Sequence, residues 1–133
     1  MRCALAWCIV SCATAAVPLA NDGNIKPGLP WPDTEGVHIN AHGFCILSHE
    51  GKYYWYGSHK IAGKTESEKN EAGVRCYVST DLLNWTNAGL VLDVFAPGMS
   101  PELRDAFILD RPKVIFHAAT KRFILYFKLY PPK

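Results

Sequence analysis

The sequence has no long apolar run, no marked excess of either charge and no cluster of metal-ligand residues. Its formal net charge of +2 gives no reason to expect a nucleic acid or an acidic membrane surface as partner. No spacing of histidine, cysteine, aspartate and glutamate is typical of a metal site, so no metal or other cofactor is expected. Apolar residues at helical intervals are also missing after the N-terminus. What remains is 49% hydrophobic and rich in aromatic residues, which predicts an all-β folded protein.

The first residues have the features of a secretory signal peptide. Arg2 supplies a positive charge, residues 4–10 begin a short apolar core, and residues 13–15 are of the small kind that signal peptidase prefers. The apolar stretch is too short to span a bilayer, because Pro18 and polar residues follow it. We therefore expect residues 1–16 to be removed and the protein to be secreted, with no membrane contact afterwards. The alternative is a buried N-terminal helix or strand.

Loss of the signal peptide would leave two cysteines, Cys45 and Cys76. Both fall in predicted strands of one unit, so in an oxidising compartment they either form a disulfide or remain as buried free thiols. Asn84 begins an Asn-Trp-Thr sequon, and an N-linked glycan there would agree with secretion in a eukaryote.

Two stretches of the chain look like copies of one hairpin, residues 43–57 and residues 111–127. Each consists of an aromatic or β-branched run, a short turn and a second such run. Equivalent positions are separated by roughly 70 residues, a distance suited to a large propeller blade. Asp110 stands immediately before the second copy, whereas the first copy is preceded by His42.

The predicted elements describe one full blade and the beginning of another. Four strands are expected at 44–48, 53–58, 74–79 and 89–92, with a tight turn at 49–52 and a solvated loop at 61–72. Four consecutive antiparallel strands form one blade of a β-propeller, and a second blade would begin at Arg111 and stop after two strands. One helical turn is expected at 102–107. Residues 17–38, rich in proline and glycine, predict an extended arm before a propeller portion at 39–133.

Four local motifs occur in an order and spacing that are more specific than any one of them. They lie at residues 39–43 (INAHG), 52–57 (KYYWYG), 79–85 (STDLLNW) and 110–114 (DRPKV). Together they resemble glycoside hydrolase family 43, and most of all its exo-β-1,3-galactanase branch. The resemblance implies a five-bladed β-propeller, of which this chain would cover about the first one and a half blades. It also implies hydrolysis of O-glycosidic bonds in β-1,3-galactan or a related polysaccharide or oligosaccharide, with inversion.

The resemblance gives Asp110 a catalytic role, because the family has an aspartate there that tunes and positions the general acid. The alternative is a strand-entry aspartate satisfied by backbone amides. In most of the family an aspartate in the first blade acts as the general base. This chain has His42 and Gly43 there, a departure that it shares with the galactanase branch. The general acid is expected beyond Lys133, so the chain alone should be inactive.

Substrate contacts are expected from side chains near the ends of the innermost strands. As hydrogen-bonding groups they suit sugar hydroxyls, and they are Asn40, His42, Ser58, His59 and Arg111. The two histidines serve equally well to satisfy buried backbone groups, and Arg111 could simply brace the blade. Ser58 replaces a glutamate that is common in the branch, so an altered sugar preference or a reduced activity is expected. The alternative functions are a non-catalytic carbohydrate-binding propeller and an inactive truncated product.

Overall fold

The computed structural model describes residues 23–64, 71–106 and 108–130. The predicted signal peptide lies outside these residues. The described part contains six strands and one short helix. In chain order they are β1 (His42–His49), β2 (Lys52–Lys60), β3 (Glu71–Ser79), β4 (Thr86–Asp93), α1 (Pro101–Asp105), β5 (Ile108–His117) and β6 (Arg122–Tyr130).

The strands form two antiparallel sheets. The first sheet has the order β1-β2-β3-β4, and the second sheet is the hairpin β5-β6. The all-β prediction and the six predicted strands are confirmed, with most strands longer than expected and β4 beginning three residues early, at Thr86. Within the described residues the two sheets do not close into a ring, so the number of propeller blades stays a prediction.

The turn between β1 and β2 explains why the first hairpin forms where the sequence predicts it. Only Glu50 and Gly51 separate the paired residues His49 and Lys52, and their φ angles are 47° and 74°. Two positive φ angles in a two-residue connection match the twist of antiparallel strands. The tight turn expected at 49–52 is confirmed; Gly51 adopts its positive φ freely, and Glu50 does so at some cost.

A first apolar cluster lies between the two sheets. Its buried members are Tyr56, Val74, Cys76, Val94, Leu109 and Val114. Side chains alternate between the faces of a strand, so the opposite face of the first sheet needs its own cover. The N-terminal segment supplies it through a second cluster. The buried members of that cluster are Ile39, Ala41, Tyr77 and Trp85.

The N-terminal arm is therefore partly packed on the first sheet. Trp31 makes an edge-to-face contact with Trp55, with ring centroids 5.7 Å apart, and its Nε1 donates to the carbonyl of Leu83 at 3.2 Å. Pro32 and His38 form an isolated β-bridge around a turn. The boundary expected at residue 38 thus separates segments that share a core.

The disulfide alternative for Cys45 and Cys76 is wrong, because both cysteines are free thiols. Cys45 lies opposite Tyr56, and Tyr56 lies opposite Cys76, so a whole strand separates them. Two strand spacings are about 9–10 Å, well beyond the separation of about 7 Å that a disulfide can bridge. Burial raises the pKa of the Cys76 thiol to about 11.

The helical turn expected at 102–107 is confirmed in its first part as α1, which begins at Pro101. Ser100 precedes it, and its Oγ accepts from the backbone N–H of Leu103 at 3.4 Å, as a capping serine does. Proline at the first helical position needs no hydrogen bond for its nitrogen. In the described part of the chain, no helix is both long and apolar enough to cross a bilayer.

Candidate functional site

The candidate site lies where β1 meets β5, at two matching irregularities. The pairing of β1 with β2 shifts between His42 and Cys45, and that of β5 with β6 shifts between Asp110 and Lys113. Each bulge contains one residue with positive φ, Gly43 at 57° in β1 and Arg111 at 50° in β5. Bulges of this kind redirect side chains and are frequent beside active sites. The sequence repeat therefore places two bent strands side by side.

The two bulges touch through Gly43. A Cβ atom added at Gly43 would lie 3.3 Å from the Cα of Arg111 and 3.3 Å from Oδ1 of Asp110. That spacing is tight, and the left-handed φ also favours glycine. Position 43 therefore has room for glycine and little else, which brings the first sheet into direct contact with the Asp110 carboxylate.

Asp110 is partly accessible at this junction, with its side chain 30% exposed. It is the third residue of β5, so the expectation that it would precede the strand is wrong, because pairing with Tyr130 and Leu129 starts β5 at Ile108. Its Oδ2 lies 3.4 Å from Nε of Arg111, whose side chain is 77% exposed. A carboxylate and a guanidinium held together and open to solvent can both bind sugar hydroxyls.

His42 and Ser58 are paired across β1 and β2, but they differ in exposure. His42 is exposed beside Gly43, next to the Asp110 junction. Ser58 is 2% exposed, and its Oγ donates to the carbonyl of Leu109 at 2.8 Å. The hydroxyl proton of Ser58 is thus used between the sheets, one residue before Asp110. Direct contact of Ser58 with a sugar stays a prediction.

Asn40 pairs with the main chain of Lys60. Its Nδ2 donates to the Lys60 carbonyl at 2.8 Å, and the Lys60 N–H donates to its Oδ1 at 2.8 Å. The N–H of Asn40 also donates to the hydroxyl of Tyr77 at 3.0 Å. The side-chain amide of Asn40 thus bonds both main-chain groups of Lys60, as a neighbouring strand would, and holds the segment before β1 against the end of β2. A sugar contact by Asn40 likewise stays a prediction.

His59 is held by an arginine that the sequence reasoning missed. Nε of Arg75 donates to Nδ1 of His59 at 3.1 Å, while Nη1 of Arg75 donates to Oδ1 of Asn87 at 3.1 Å. Burial lowers the pKa of His59, and the positive charge of Arg75 lowers it further. The ring is therefore a neutral acceptor toward Arg75. The signal in the sequence was the position of Arg75 in the middle of β3, between Val74 and Cys76.

Lys113 is a second residue for which the sequence reasoning assigned no role. Its Nζ donates to the carbonyl of Phe44 at 2.8 Å and lies 3.4 Å from the carbonyl of Gly43. The next backbone N–H, that of Val114, donates to Sγ of Cys45 at 3.3 Å. Both contacts join β5 to the bulge of β1. The signal was its position in the Asp-Arg-Pro-Lys motif, although only the folded chain shows the partner.

The Ser-Thr-Asp motif forms a closed turn on the outer side of the first sheet. Asp81 accepts from the N–H groups of Leu83 and Asn84 at 2.9 and 2.8 Å, and from Nδ2 of Asn84 at 2.8 Å. These hydrogen bonds, first of all that from the Asn84 backbone, hold the pKa of Asp81 well below its usual range. The turn places Trp85, 1% exposed, in the second cluster. Glycosylation of Asn84 stays a prediction, and its amide nitrogen is already bound to Asp81.

The described residues contain no group of three or more histidine, cysteine, aspartate or glutamate side chains that could hold a metal ion. Asp110, Arg111 and His42 are the predicted site residues that the fold brings to one accessible junction. Ser58 contacts that junction through Leu109, whereas Asn40 and His59 are hydrogen-bonded to Lys60 and Arg75 of the first sheet.

No protein-family model and no curated protein matches the sequence. Several solved structures do match. A family 43 β-1,3-galactosidase solved with galactodeoxynojirimycin is 42% identical, with a TM-score of 0.69 over 79% of this chain and 29% of its own. An exo-β-1,3-galactanase from Clostridium thermocellum is 36% identical, with a TM-score of 0.70 over 82% and 22%. One from Phanerochaete chrysosporium, solved with β-1,3-galactotriose, is 32% identical, with a TM-score of 0.60 over 75% and 22%.

The antiparallel sheets and these neighbours place the chain in a class of protein whose solved members are glycosidases. The chain belongs to glycoside hydrolase family 43, near its β-1,3-galactosidases and exo-β-1,3-galactanases, as the motifs predicted. It spans less than a third of the length of these relatives, which is consistent with the expected N-terminal portion.

Proposed function

We propose that the chain is the N-terminal portion of a secreted enzyme that hydrolyses O-glycosidic bonds in β-1,3-galactan or a related polysaccharide with inversion. Residues 1–16 would be its signal peptide, 17–38 an arm, and 39–133 the first one and a half blades of a five-bladed propeller. The likeness to family 43 β-1,3-galactosidases, at 42% identity over 79% of the chain, carries this proposal.

The geometry around Asp110 supports the proposal. Its carboxylate is accessible, it contacts the bulge of β1, and Arg111 lies beside it. In an inverting glycosidase one carboxylic acid protonates the leaving oxygen and a second group activates water. Asp110 would orient the sugar and influence the pKa of that acid, which would come from polypeptide outside these 133 residues. His42 and Arg111 would bind sugar hydroxyls.

A second candidate is a carbohydrate-binding propeller without catalysis. Two observations favour it. The bulge of β1 has His42 and Gly43 where most of the family has the aspartate that acts as the general base. In addition, position 58 has a serine where a glutamate is common in the branch, so no carboxylate is available there, and the serine hydroxyl is itself buried and bound to Leu109. Such a protein would still bind galactosides at the Asp110 junction.

The test is hydrolysis of β-1,3-galactobiose by the longest polypeptide that the gene encodes. We expect galactose release, and we expect Asp110→Asn to lower turnover about a hundredfold or more while binding stays measurable. Asp105→Asn, at an exposed position of α1, is the matched control and should leave turnover unchanged.

Unchanged turnover in Asp110→Asn would contradict the role given to Asp110. Galactoside binding in calorimetry with no product after long incubation would favour the binding protein over the enzyme. Neither binding nor product with β-1,3-linked galactosides would reject both functions for this chain.

A further inference from the structure

Asp110 lies between two hydrogen bonds that cross from one sheet to the other in opposite directions. On one side Ser58, in the first sheet, donates from Oγ to the carbonyl of Leu109 in the second at 2.8 Å. On the other side Lys113, in the second sheet, donates from Nζ to the carbonyl of Phe44 in the first at 2.8 Å. The residues held by these bonds directly bracket the bulge that contains Asp110.

The segment between the two bonds has an unfavourable backbone conformation. Arg111 has a φ of 50°, which is rare for a residue other than glycine. Such a residue keeps this conformation only where the surrounding structure holds it. Pro112, which follows, is fully buried and limits how the bulge can relax.

The apolar cluster between the sheets holds them together, but burial of apolar area is non-directional, so it opposes sliding of one sheet on the other less specifically than hydrogen bonds do. Hydrogen bonds depend steeply on distance and angle, and two of them on either side of Asp110 oppose such sliding. The position of its carboxylate is therefore set by polar contacts.

We propose that Ser58 and Lys113 are positioning residues that fix the Asp110 carboxylate at the junction of the two sheets. The Ser58 hydroxyl is buried and bound to the Leu109 carbonyl, and Nζ of Lys113, although exposed, is bound to the carbonyl of Phe44 in the other sheet. The inference rests on the proposed function, since Asp110 is the acid whose position matters there. It assigns to Ser58 a contact between sheets in place of a contact with the sugar.

The first experiment measures amide hydrogen exchange by NMR in the 133-residue chain. We expect Ser58→Ala and Lys113→Met each to raise exchange at Asp110 and Arg111 about tenfold, the size of one lost hydrogen bond. Lys113→Arg, whose guanidinium also reaches carbonyls, should restore the slow exchange. Lys121→Met, at an exposed position in the turn between β5 and β6, is the control and should change neither rate, because this turn lies at the opposite end of the hairpin from Asp110.

The proposal is overturned if exchange at Asp110 and Arg111 is unchanged in both variants. It is also overturned if exchange rises equally throughout the first sheet, for example at Tyr54 and Val78, because the two residues would then stabilise the fold as a whole.

The second experiment is the galactobiose assay on the longer polypeptide, which also covers the case in which a variant of the shorter chain does not fold. Ser58→Ala and Lys113→Met should lower kcat about tenfold with a smaller change in KM, and Lys113→Arg should recover it. Equal losses in Lys113→Met and Lys113→Arg, or a change in KM alone, would contradict positioning. If the longer polypeptide shows neither product nor binding while the exchange result holds, the proposed function fails and the contacts between the sheets stand. If Asp110→Asn lowers turnover but exchange is unchanged in both variants, only the positioning role is rejected.

Discussion

The two sheets share one hairpin design but differ in how completely they are covered. The first sheet buries Trp85 (1% exposed) on one face and Val74 (0%) on the other. The second sheet buries Val114 against the first, but Ile115 and Tyr126, on its other face, are 48% and 55% exposed. A sheet gains most of its stability from the apolar face that it covers. The first sheet is thus covered on both faces at its centre, although Phe44, Ile46 and Val91 of its edge strands are exposed, whereas the second sheet is covered on one face.

The two sheets also differ at the candidate site, in the residues that form their bulges. The bulge of β1 has Gly43 at its left-handed position and follows His42, whereas that of β5 has Arg111 there and follows Asp110. Glycine adopts that conformation freely, and arginine does so at a cost. The first sheet therefore supplies an unstrained surface, and the second carries the charged groups in a strained segment. Strain of this kind is typical of functional positions.

The largest effect is expected from adding a methyl group where β2 touches the backbone of the segment before β1. A Cβ atom at Gly57 would overlap the backbone of Ala41, which cannot move without breaking the second cluster. Gly57→Ala should therefore abolish the cooperative thermal transition, followed by circular dichroism. Gly51→Ala, in the turn of the same hairpin, meets no neighbouring atom and should cost only about 1–2 kcal/mol for its positive φ. Cooperative unfolding of Gly57→Ala would mean that the contact between Gly57 and the backbone of Ala41 can relax without loss of the fold.

The next largest effect is the difference in lost stability between a buried aromatic residue packed on the first sheet and a half-exposed one in the second. Trp85→Ala should lower the free energy of unfolding by about 3–5 kcal/mol, because it empties the second cluster. Phe123→Ala, at a 50% exposed position of β6, should cost about 1 kcal/mol. Urea unfolding of the two variants measures both. Equal losses would show that the second sheet is covered as well as the first.

The sequence predicted the strands because their signals are local. Aromatic and β-branched runs, ended by turns such as Glu50-Gly51, depend on neighbours within a few residues. The free state of Cys45 and Cys76 was not decided by the sequence, since it depends on Tyr56 lying between them in the register.

The site was predicted in part, for a similar reason. Asp110 and Arg111 could be placed because the motif around them resembles that of a known family. The roles of Ser58, Arg75 and Lys113 arise from partners that only the packing brings near. Ser58 contacts a carbonyl 51 residues away, and Lys113 contacts one 69 residues away. No local pattern specifies such pairs.

A smaller effect is expected at the turn that follows β3 in the first sheet, where the carboxylate of Asp81 accepts several hydrogen bonds. The pKa of Asp81 is lowered in the folded chain, so its contribution to stability is present above about pH 4 and is lost as the pH falls below that value. Asp81→Asn should therefore be less stable than the original chain at pH 6, and this difference should shrink below about pH 4. The effect should be smaller than that of Trp85→Ala, because Asp81 is exposed to solvent.

Urea unfolding between pH 2.5 and 6 measures this dependence for Asp81. Glu35→Gln, an exposed acid in the N-terminal segment, is the matched control. A difference between the original chain and Asp81→Asn that stays constant across this range would contradict the assignment to ionisation and point to shape alone.

The smallest effect tests the join between the sheets. Sγ of Cys45 accepts from the N–H of Val114, so Cys45→Ala leaves that N–H without this partner at a cost of about 1 kcal/mol. Ser48→Ala, exposed on the same strand, should cost less. Urea unfolding measures both, and the amide proton shift of Val114 should change in Cys45→Ala alone. If Cys45→Ala cost as much as Trp85→Ala, the junction would contribute as much as a core of the first sheet. The second sheet would then be an equal partner in folding, although Ile115, Phe123 and Tyr126 of that sheet are exposed.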